Sequence, residues 1–497
     1  MTQKFQNFIN GKWVDAKSGK TFENRNPANW DEVIGTFPKS GKEDVDEAVK
    51  AARAAFEKWR LVPAPQRGNI MRRVGDLLAA RKEELAKLMT REMGKILLEA
   101  RGDVQEGIDT AYYAATEGRR LFGHTVPSEL PSKFNMAIRV PIGVAAVVTP
   151  WNFPMAIPTW KIFPALVSGN TVVFKPASDT PATATKLVEL LVEAGVPEGV
   201  VNIVHGGGSE VGMALVEHSE IDLVSFTGST SVGKKISEVA ARSLKRVSLE
   251  LGGKNAQIVM EDANLDLALD GVLWGAFGTT GQRCTATSRL IIHDKVYDKF
   301  LSMLLDRTKR LRLGDGLKPE TEVGPLVNEG QRQTVDEYVR IGQKEGAKLV
   351  TGGKIPSANG LGKGWFYEPT ILGEVTPDMR VAKEEIFGPV LSVLRIKSID
   401  EAINVANNTK YGLSSSIYTN NIIYAYRAIQ DIRAGITYIN APTIGAEAHM
   451  PFGGVKETGN GHREGGWTVY DFYTEWKTVY IDYSGKLQRA QIDNVQS

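Results

Sequence analysis

One cysteine in 497 residues, Cys284, excludes an intramolecular disulfide. It also leaves no CxxC pair to hold a metal, and the six histidines show no HxxxH spacing, so no metal site is expected. Such sparse cysteine use fits a reducing compartment, and a cytoplasmic location is expected. Charge of one sign is missing as well. Sixty Lys+Arg face 58 Asp+Glu, a net +2, which suggests neither a nucleic-acid nor an acidic-lipid partner. The first residues, MTQKFQNFINGKW, hold no apolar core of the kind a secretory leader needs. A long uncharged run does occur at 140–160, but Pro141, Pro150, Pro154 and Pro158 interrupt it. Each would cost about 3 kcal/mol inside a helix. The run therefore reads as buried strand, loop and helix start, not as a membrane span.

With 42% hydrophobic and 24% charged residues the chain is that of a folded globular protein, and its length predicts two to four domains. Residues 41–60 place Val45, Ala48, Val49, Ala52, Ala55, Phe56 and Trp59 on one helical face. Further helical stretches cover 66–92 and 99–120, and a polar segment follows at 123–139. From 143 onward, short apolar runs alternate with helical stretches: 143–149, 171–174, 200–204, 222–226 and 246–249. Unalternating apolar runs suit parallel strands covered on both faces, so a doubly wound α/β domain is expected. A second α/β series has strands at 256–260, 288–293, 389–396, 413–419 and 434–440, with helices near 295–312, 328–345 and 398–408. Loops fall at 352–364 and 441–466. Residues 469–483 alternate bulky apolar and polar side chains like a half-exposed strand, and 484–497 form a polar tail. No internal repeat is present.

Cys284 lies in TTGQRCTATSR, among Gly, Gln, Arg and Thr rather than core residues. A lone cysteine is ordinarily a small buried hydrophobe. Here Arg283, and a helix N-terminus if one begins at 284, would favour the thiolate and make a nucleophile. Glu250 closes the apolar run before Gly-Gly in SLELGGK, where open α/β sheets place ligands. It would serve as base for hydrolysing a covalent intermediate, or be no more than a surface carboxylate. FTGSTSVGKK (226–235) nearly matches a phosphate-binding P-loop through Gly228, Gly233 and Lys234. Lys235 stands where the Mg²⁺-holding hydroxyl belongs, which counts against a nucleotide hydrolase. A helix opening on Gly-Ser-Thr still offers free N–H groups to an anion. HGGGSEVG (205–212) makes a second glycine-rich turn. Lys175 closes another strand, where it would meet a ribose or phosphate, or simply water. Asn152, an amide in an apolar stretch, must be hydrogen-bonded if buried and would suit an oxyanion. EEIFGPV (384–390) sets an acid two residues before a Phe.

WNFP, Lys175-Pro176, FTGST, ELGGK, GQRC, EEIFGPV and PFGG, spread from residue 151 to 454, occur in the order and spacing of the aldehyde dehydrogenase superfamily. The chain resembles that family from about residue 8 to 483. The resemblance implies two open doubly wound α/β domains plus a small β oligomerisation arm. It assigns 1–121 with 143–252 to coenzyme binding, 253–455 to catalysis, and 122–142 with 469–490 to the arm. It implies that Cys284 attacks the aldehyde, that Asn152 and the Cys284 N–H form the oxyanion hole, that Glu250 activates water, and that Lys161 serves a proton relay. Coenzyme contacts would come from Thr149, Pro150, Trp151, Lys175, Ser178, Gly208, Phe226, Gly228, Ser229, Gly233, Leu251, Glu385 and Phe387. Lys175 and Glu385 would hold the riboses. Phe153, Trp160, Thr285 and Phe452 would line the substrate tunnel.

Glu250 disfavours transfer to coenzyme A and implies a free carboxylic acid as product. Ser178, where many NAD-preferring relatives carry Glu, implies that NADP is accepted beside NAD. Arg283 and His449 are expected near the tunnel mouth as anchors for a distal carboxylate. The loop 440–466 and the tail resemble the branch containing α-ketoglutarate-semialdehyde dehydrogenases. Simple aliphatic or aromatic aldehydes are the alternative substrates, and a homodimer or homotetramer is the expected assembly. A non-enzymatic relative that kept only the fold would be expected to have lost Cys284 or Glu250.

Overall fold

The computed structural model describes residues 3–358 and 360–493. The N-terminal segment, in which the sequence pattern gave no strand, holds five: β1 (Gln3–Lys4), β2 (Asn7–Ile9), β3 (Lys12–Val14), β4 (Thr21–Asn26) and β5 (Asn29–Pro38). β1, β2 and β3, of two and three residues, carry too little alternation to register as a pattern, whereas β4 and β5 are long but mostly polar or interrupted by Gly and Pro. Four helices follow: α1 (Lys42–Trp59), α2 (Ala64–Ala80), α3 (Lys82–Met93) and α4 (Leu97–Glu117). The single helix expected over 66–92 is two, because Arg81 leaves helical geometry at φ −110°, ψ 15°. Next come β6 (His124–Pro127) and β7 (Lys133–Pro141).

The first alternating series is β8 (Val144–Val148), α5 (Ala156–Ser168), β9 (Thr171–Lys175), α6 (Pro181–Glu193), β10 (Val201–Ile203), α7 (Met213–Glu217), β11 (Leu223–Thr227), α8 (Thr230–Ala241) and β12 (Arg246–Glu250). These strands, with β2 and β3, make a seven-stranded sheet in the order β12-β11-β8-β9-β10-β2-β3. Its five central-series strands are parallel and almost wholly buried, as their unbroken apolar runs require. The direction of winding reverses between β8 and β11, which opens a crevice at their carboxyl ends. The uncharged run at 140–160 is split between buried β8 and the start of α5, and no described helix is long and apolar enough to cross a membrane.

The second series runs β13 (Asn255–Val259), α9 (Leu265–Phe277), β14 (Thr287–His293), α10 (Tyr297–Thr308), α11 (Glu329–Lys344), β15 (Lys348–Thr351), β16 (Thr370–Gly373), α12 (Arg380–Lys383), β17 (Val390–Ile396), α13 (Ile399–Asn407), β18 (Ser414–Tyr418), α14 (Ile422–Asp431) and β19 (Ile436–Ile439). Its seven-stranded sheet has the order β15-β16-β17-β14-β13-β18-β19, parallel except for β15. The chain ends with α15 (Val469–Tyr473) and β20 (Thr474–Asp482). The strand expected over 469–483 thus starts five residues late. Val469, Tyr470, Phe472 and Tyr473 are all buried in the first core, which a single helical turn allows and an alternating strand does not. β20 pairs antiparallel with β7 from Thr474↔Pro141 to Asp482↔Lys133, giving a separate sheet β20-β7-β6. The polar tail is described to residue 493, with Gln488 donating to the Pro131 carbonyl at 2.8 Å; residues 494–497 lie outside the described chain.

Candidate active site

The carboxyl ends of β8, β11 and β12 deliver three short turns to one place. After β8 the chain passes through Thr149, Pro150, Trp151 and Asn152 into α5. After β11 it passes through Gly228 and Ser229 into α8, where Ser229 Oγ accepts the Val232 N–H at 3.4 Å and caps the helix. After β12 it passes through Leu251 and Gly252. Opposite them, the turn 283–286 enters the amino end of β14, and Asn255 Nδ2 donates to the Cys284 and Ala286 carbonyls at 2.8 and 2.9 Å. The first sheet's carboxyl edge therefore faces the second sheet's amino edge, with Cys284 between them.

Two cavities meet at that line. One, of about 420 Å³, is lined by Phe153, Trp160, Glu250, Arg283, Thr285 and Phe452 from the expected set, and by Leu98, Glu99, Asp103, Glu106, Trp274 and Glu464 besides. Trp160 and Phe452 pack with centroids 4.8 Å apart. The other, of about 280 Å³, is lined by Pro150, Trp151, Asn152, Gly228, Ser229, Glu385 and Phe387, with Gln331 and Thr334 added. Cys284, Ile157, Thr227 and Leu251 line both. Phe387 sits at φ 57°, edge-on to Trp151, and Gln331 Nε2 holds its turn by donating to the Ile386 and Phe387 carbonyls at 3.0 and 2.8 Å.

The thiol does not have the setting expected for it. No helix starts at 284; a left-handed run at Thr279, Thr280 and Gly281 (φ 52°, 57° and 67°) leads into a turn, and β14 begins only at Thr287. Arg283 is committed to acceptors of its own, with Nε on Thr279 Oγ1 at 2.8 Å and Nη2 on Glu99 at 3.3 Å. Burial, then the Glu385 and Glu250 charges, push the Cys284 thiol up to about 12, so the resting sulfur is protonated. Asn152 is buried, and its Nδ2 donates to the Gln282 carbonyl at 3.1 Å, which ties it to the residue two before the sulfur.

Glu250 is buried, and neither carboxylate oxygen has a hydrogen-bond partner among the described residues. Burial, reinforced by Glu464, holds its carboxyl well above the usual range against the opposing pull of Lys161 and Arg463. Lys161 does not line either cavity. It lies behind the wall, donating to Ser225 Oγ at 3.0 Å and ion-paired with Glu464. Glu464 escaped the sequence reading because nothing along the chain links it to its partner, Lys161, 303 residues away.

Of the other expected coenzyme residues, Lys175, Ser178, Gly208, Phe226, Gly233 and Thr149 do not line the 280 Å³ cavity. Lys175 is buried with no side-chain hydrogen bond or ion pair among the described residues, and burial lowers its ammonium to about 8. Ser178 Oγ donates to the Gly206 carbonyl at 3.2 Å. Asp179 accepts from Asn328 Nδ2 at 2.9 Å. Gly208 opens a π-helical turn, 208–212, whose Gly212 approaches the Lys175 stem. Phe226 is buried in the core under Gly228, and a Cβ on Gly233 would come within 2.5 Å of Leu251. Thr149 N–H donates to the Lys175 carbonyl at 3.3 Å. Glu385 Oε1 accepts the Gly253 N–H at 2.8 Å, and burial pushes its carboxyl up to about 7. His449 lines neither cavity: it is 60% exposed and 3.3 Å from Glu447, in the loop whose Gly445 and Ala446 line the 420 Å³ cavity.

The family model described as "Aldehyde dehydrogenase family" matches residues 13–479. The chain is 46% identical to an α-ketoglutarate semialdehyde dehydrogenase of Haloferax volcanii, over 97% of this chain and 100% of that one. It is 44% identical to the α-ketoglutaric semialdehyde dehydrogenase of Bacillus subtilis, over 96% and 98%. A crystal structure of betaine aldehyde dehydrogenase from Staphylococcus aureus in complex with NAD⁺ superposes with a TM-score of 0.95 at 36% identity, covering 97% of this chain and 95% of that one.

Proposed function

The chain belongs to the aldehyde dehydrogenase family, and from that premise we propose which of its residues carry the reaction. It is an oxidoreductase that converts an aldehyde to the acid with NAD or NADP. The observation that carries the residue assignment is the position of Cys284 at the junction of the two cavities, with Glu250 on the wall of one. The 280 Å³ cavity suits a nicotinamide coenzyme. It ends on the capped N-terminus of α8, and Glu385 and Phe387 line it from the second domain. Bound coenzyme supplies the hydride acceptor.

The thiol must lose its proton before attack, and because burial raises it to about 12 it needs a base, for which we assign Glu250 on the wall of the same cavity. Cys284 then bonds the aldehyde carbon. Asn152 Nδ2, released from the Gln282 carbonyl, and the Cys284 N–H receive the oxyanion. Once the acyl group is a thioester on Cys284, Glu250 takes a proton from water, and burial, which raises its carboxyl, makes it a stronger base than an exposed carboxylate. We assign the Lys161–Glu464 ion pair, whose Glu464 lines the same cavity as Glu250, to the relay that removes each proton from Glu250. Ser178 in place of a carboxylate favours acceptance of both coenzymes.

For substrate we propose a carboxylated semialdehyde of the α-ketoglutarate semialdehyde type, on the similarity to the Haloferax and Bacillus enzymes. Arg283 is the cation among the residues lining the 420 Å³ cavity, although Glu99 shares its charge. Residues 1–121 with 143–252 would act as the coenzyme-binding domain and 253–455 as the catalytic domain. The sheet β20-β7-β6, from 122–142 and 469–490, would serve as the arm of a homodimer or homotetramer. Reducing cytoplasm suits a lone thiol nucleophile. The test is reduced-coenzyme formation with NAD and NADP against acetaldehyde, benzaldehyde, succinate semialdehyde and α-ketoglutarate semialdehyde. A kcat/KM at least tenfold higher for the carboxylated pair, about 1.4 kcal/mol of discrimination, is expected. A flat profile would remove the carboxylate reading and leave a broad-specificity dehydrogenase.

A further inference from the structure

Helix α4 presents Glu106 to the large cavity and, a turn earlier, the pair Glu99 and Asp103, which are spaced i, i+4 and therefore share one face. Each holds a different loop of the site. Asp103 Oδ1 accepts the N–H of Ala156, the first residue of α5, at 2.7 Å, while Oδ2 meets Lys95 at 2.9 Å in a fully buried pair. It thereby fixes the turn that carries Asn152. Glu99 Oε1 accepts the Thr279 N–H at 2.7 Å and Arg283 Nη2 at 3.3 Å, and Arg283 Nε closes the ring on Thr279 Oγ1.

Thr279 opens the left-handed run that ends at Gly281, three residues before the sulfur. β-branched residues avoid that conformation, and such strain persists only where the surroundings enforce it. Neutral groups contribute here. Thr280 Oγ1 donates to the Gly324 carbonyl at 3.0 Å, and the Gln282 side chain bridges Thr279, Pro325 and Val327. Glu99 is the charged acceptor on the backbone of the run, and charge-assisted bonds are the stronger kind. We infer that Glu99 is a positioning residue for the nucleophile, acting through Thr279 and Arg283 to set Cys284 against the amide of Asn152. Both halves of the catalytic pair are thereby referenced to one helix.

The inference rests on Cys284 being the nucleophile, and the experiment separates the two. Full-length Glu99→Leu and Glu99→Gln are compared on hexanal, which bears no charge, and in the rate of alkylation by iodoacetamide, which reports Cys284 alone because it is the sole cysteine. Glu99→Leu should lower kcat at least tenfold and change the alkylation rate, with coenzyme Kd unaltered. Glu99→Gln keeps an acceptor for the Thr279 N–H and should recover kcat to within about threefold of the natural protein. A folded Glu99→Leu with natural kcat and alkylation, or a Glu99→Gln as slow as Glu99→Leu, overturns the inference. Should Glu99→Leu fail to fold, Glu99→Ala is measured with and without Thr280→Gly, since glycine adopts φ 57° freely. At least a threefold return of rate is expected, and no return overturns the claim. Residual oxidation in Cys284→Ala would instead sink the nucleophile assignment.

Discussion

At Cys284 the environment and the assigned task pull in opposite directions. Burial and the nearby Glu385 and Glu250 raise the thiol, whereas attack on a carbonyl needs the thiolate. A raised pKa means that the thiolate fraction is still growing above the ordinary cysteine value of roughly 8.5. In the ligand-free protein, iodoacetamide alkylation should therefore keep rising from pH 7 to 10; a plateau below pH 8 would contradict the site described. Cys284→Ala should bind coenzyme with natural affinity and lose oxidation, and measurable turnover would place the nucleophile elsewhere. The meeting of Cys284, Glu250 and Asn152 at the cavities was legible chiefly through the motifs GQRC, ELGGK and WNFP, each carrying a reactive or polar group out of keeping with its neighbours. Arg283 and His449 were less so. Whether a charge faces a cavity depends on partners such as Glu99, 184 residues away, or on where its loop leaves it, as with His449, exposed beside Glu447.

Among the elements, the long parallel strands were read nearly to the residue, because burial on both faces writes an apolar run that little else produces. β2 and β3 join the first sheet unseen, since three residues cannot display a period. The left-handed run 279–281 was equally hidden: two threonines give no hint of φ near +55°. Gly281 has a firm reason to be glycine. Its φ is +67°, and a Cβ there would lie 2.2 Å from the Gly388 carbonyl oxygen. Gly281→Ala should destabilise by about 2 kcal/mol or more and push the nucleophile loop from the Phe387 turn. A thermal midpoint and kcat both equal to those of the natural protein would contradict that packing.

For the whole molecule, two sheets wound separately present opposite edges to one seam, and the residues proposed for the reaction come from both. The sheet β20-β7-β6 stands apart, with Trp476, Tyr480, Ile481 and Tyr483 exposed along β20 and just beyond it. Apolar side chains and free strand edges of this kind are costly to leave in water. Light scattering should give two or four copies of the 54.4 kDa chain. Ile481→Lys combined with Tyr480→Lys should shift that mass downward; a monomeric natural protein would remove the arm's assembly role.

The most direct test of the central claim, an acyl group on Cys284 released with Glu250 as base, is a rapid-mixing experiment on Glu250→Gln. Reduced coenzyme should form in a slowed burst approaching one equivalent per site, followed by still slower turnover, and mass spectrometry of the quenched protein should find the acyl group on the peptide bearing Cys284. No burst, an unmodified Cys284 and a steady rate equal to that of the natural protein would contradict it.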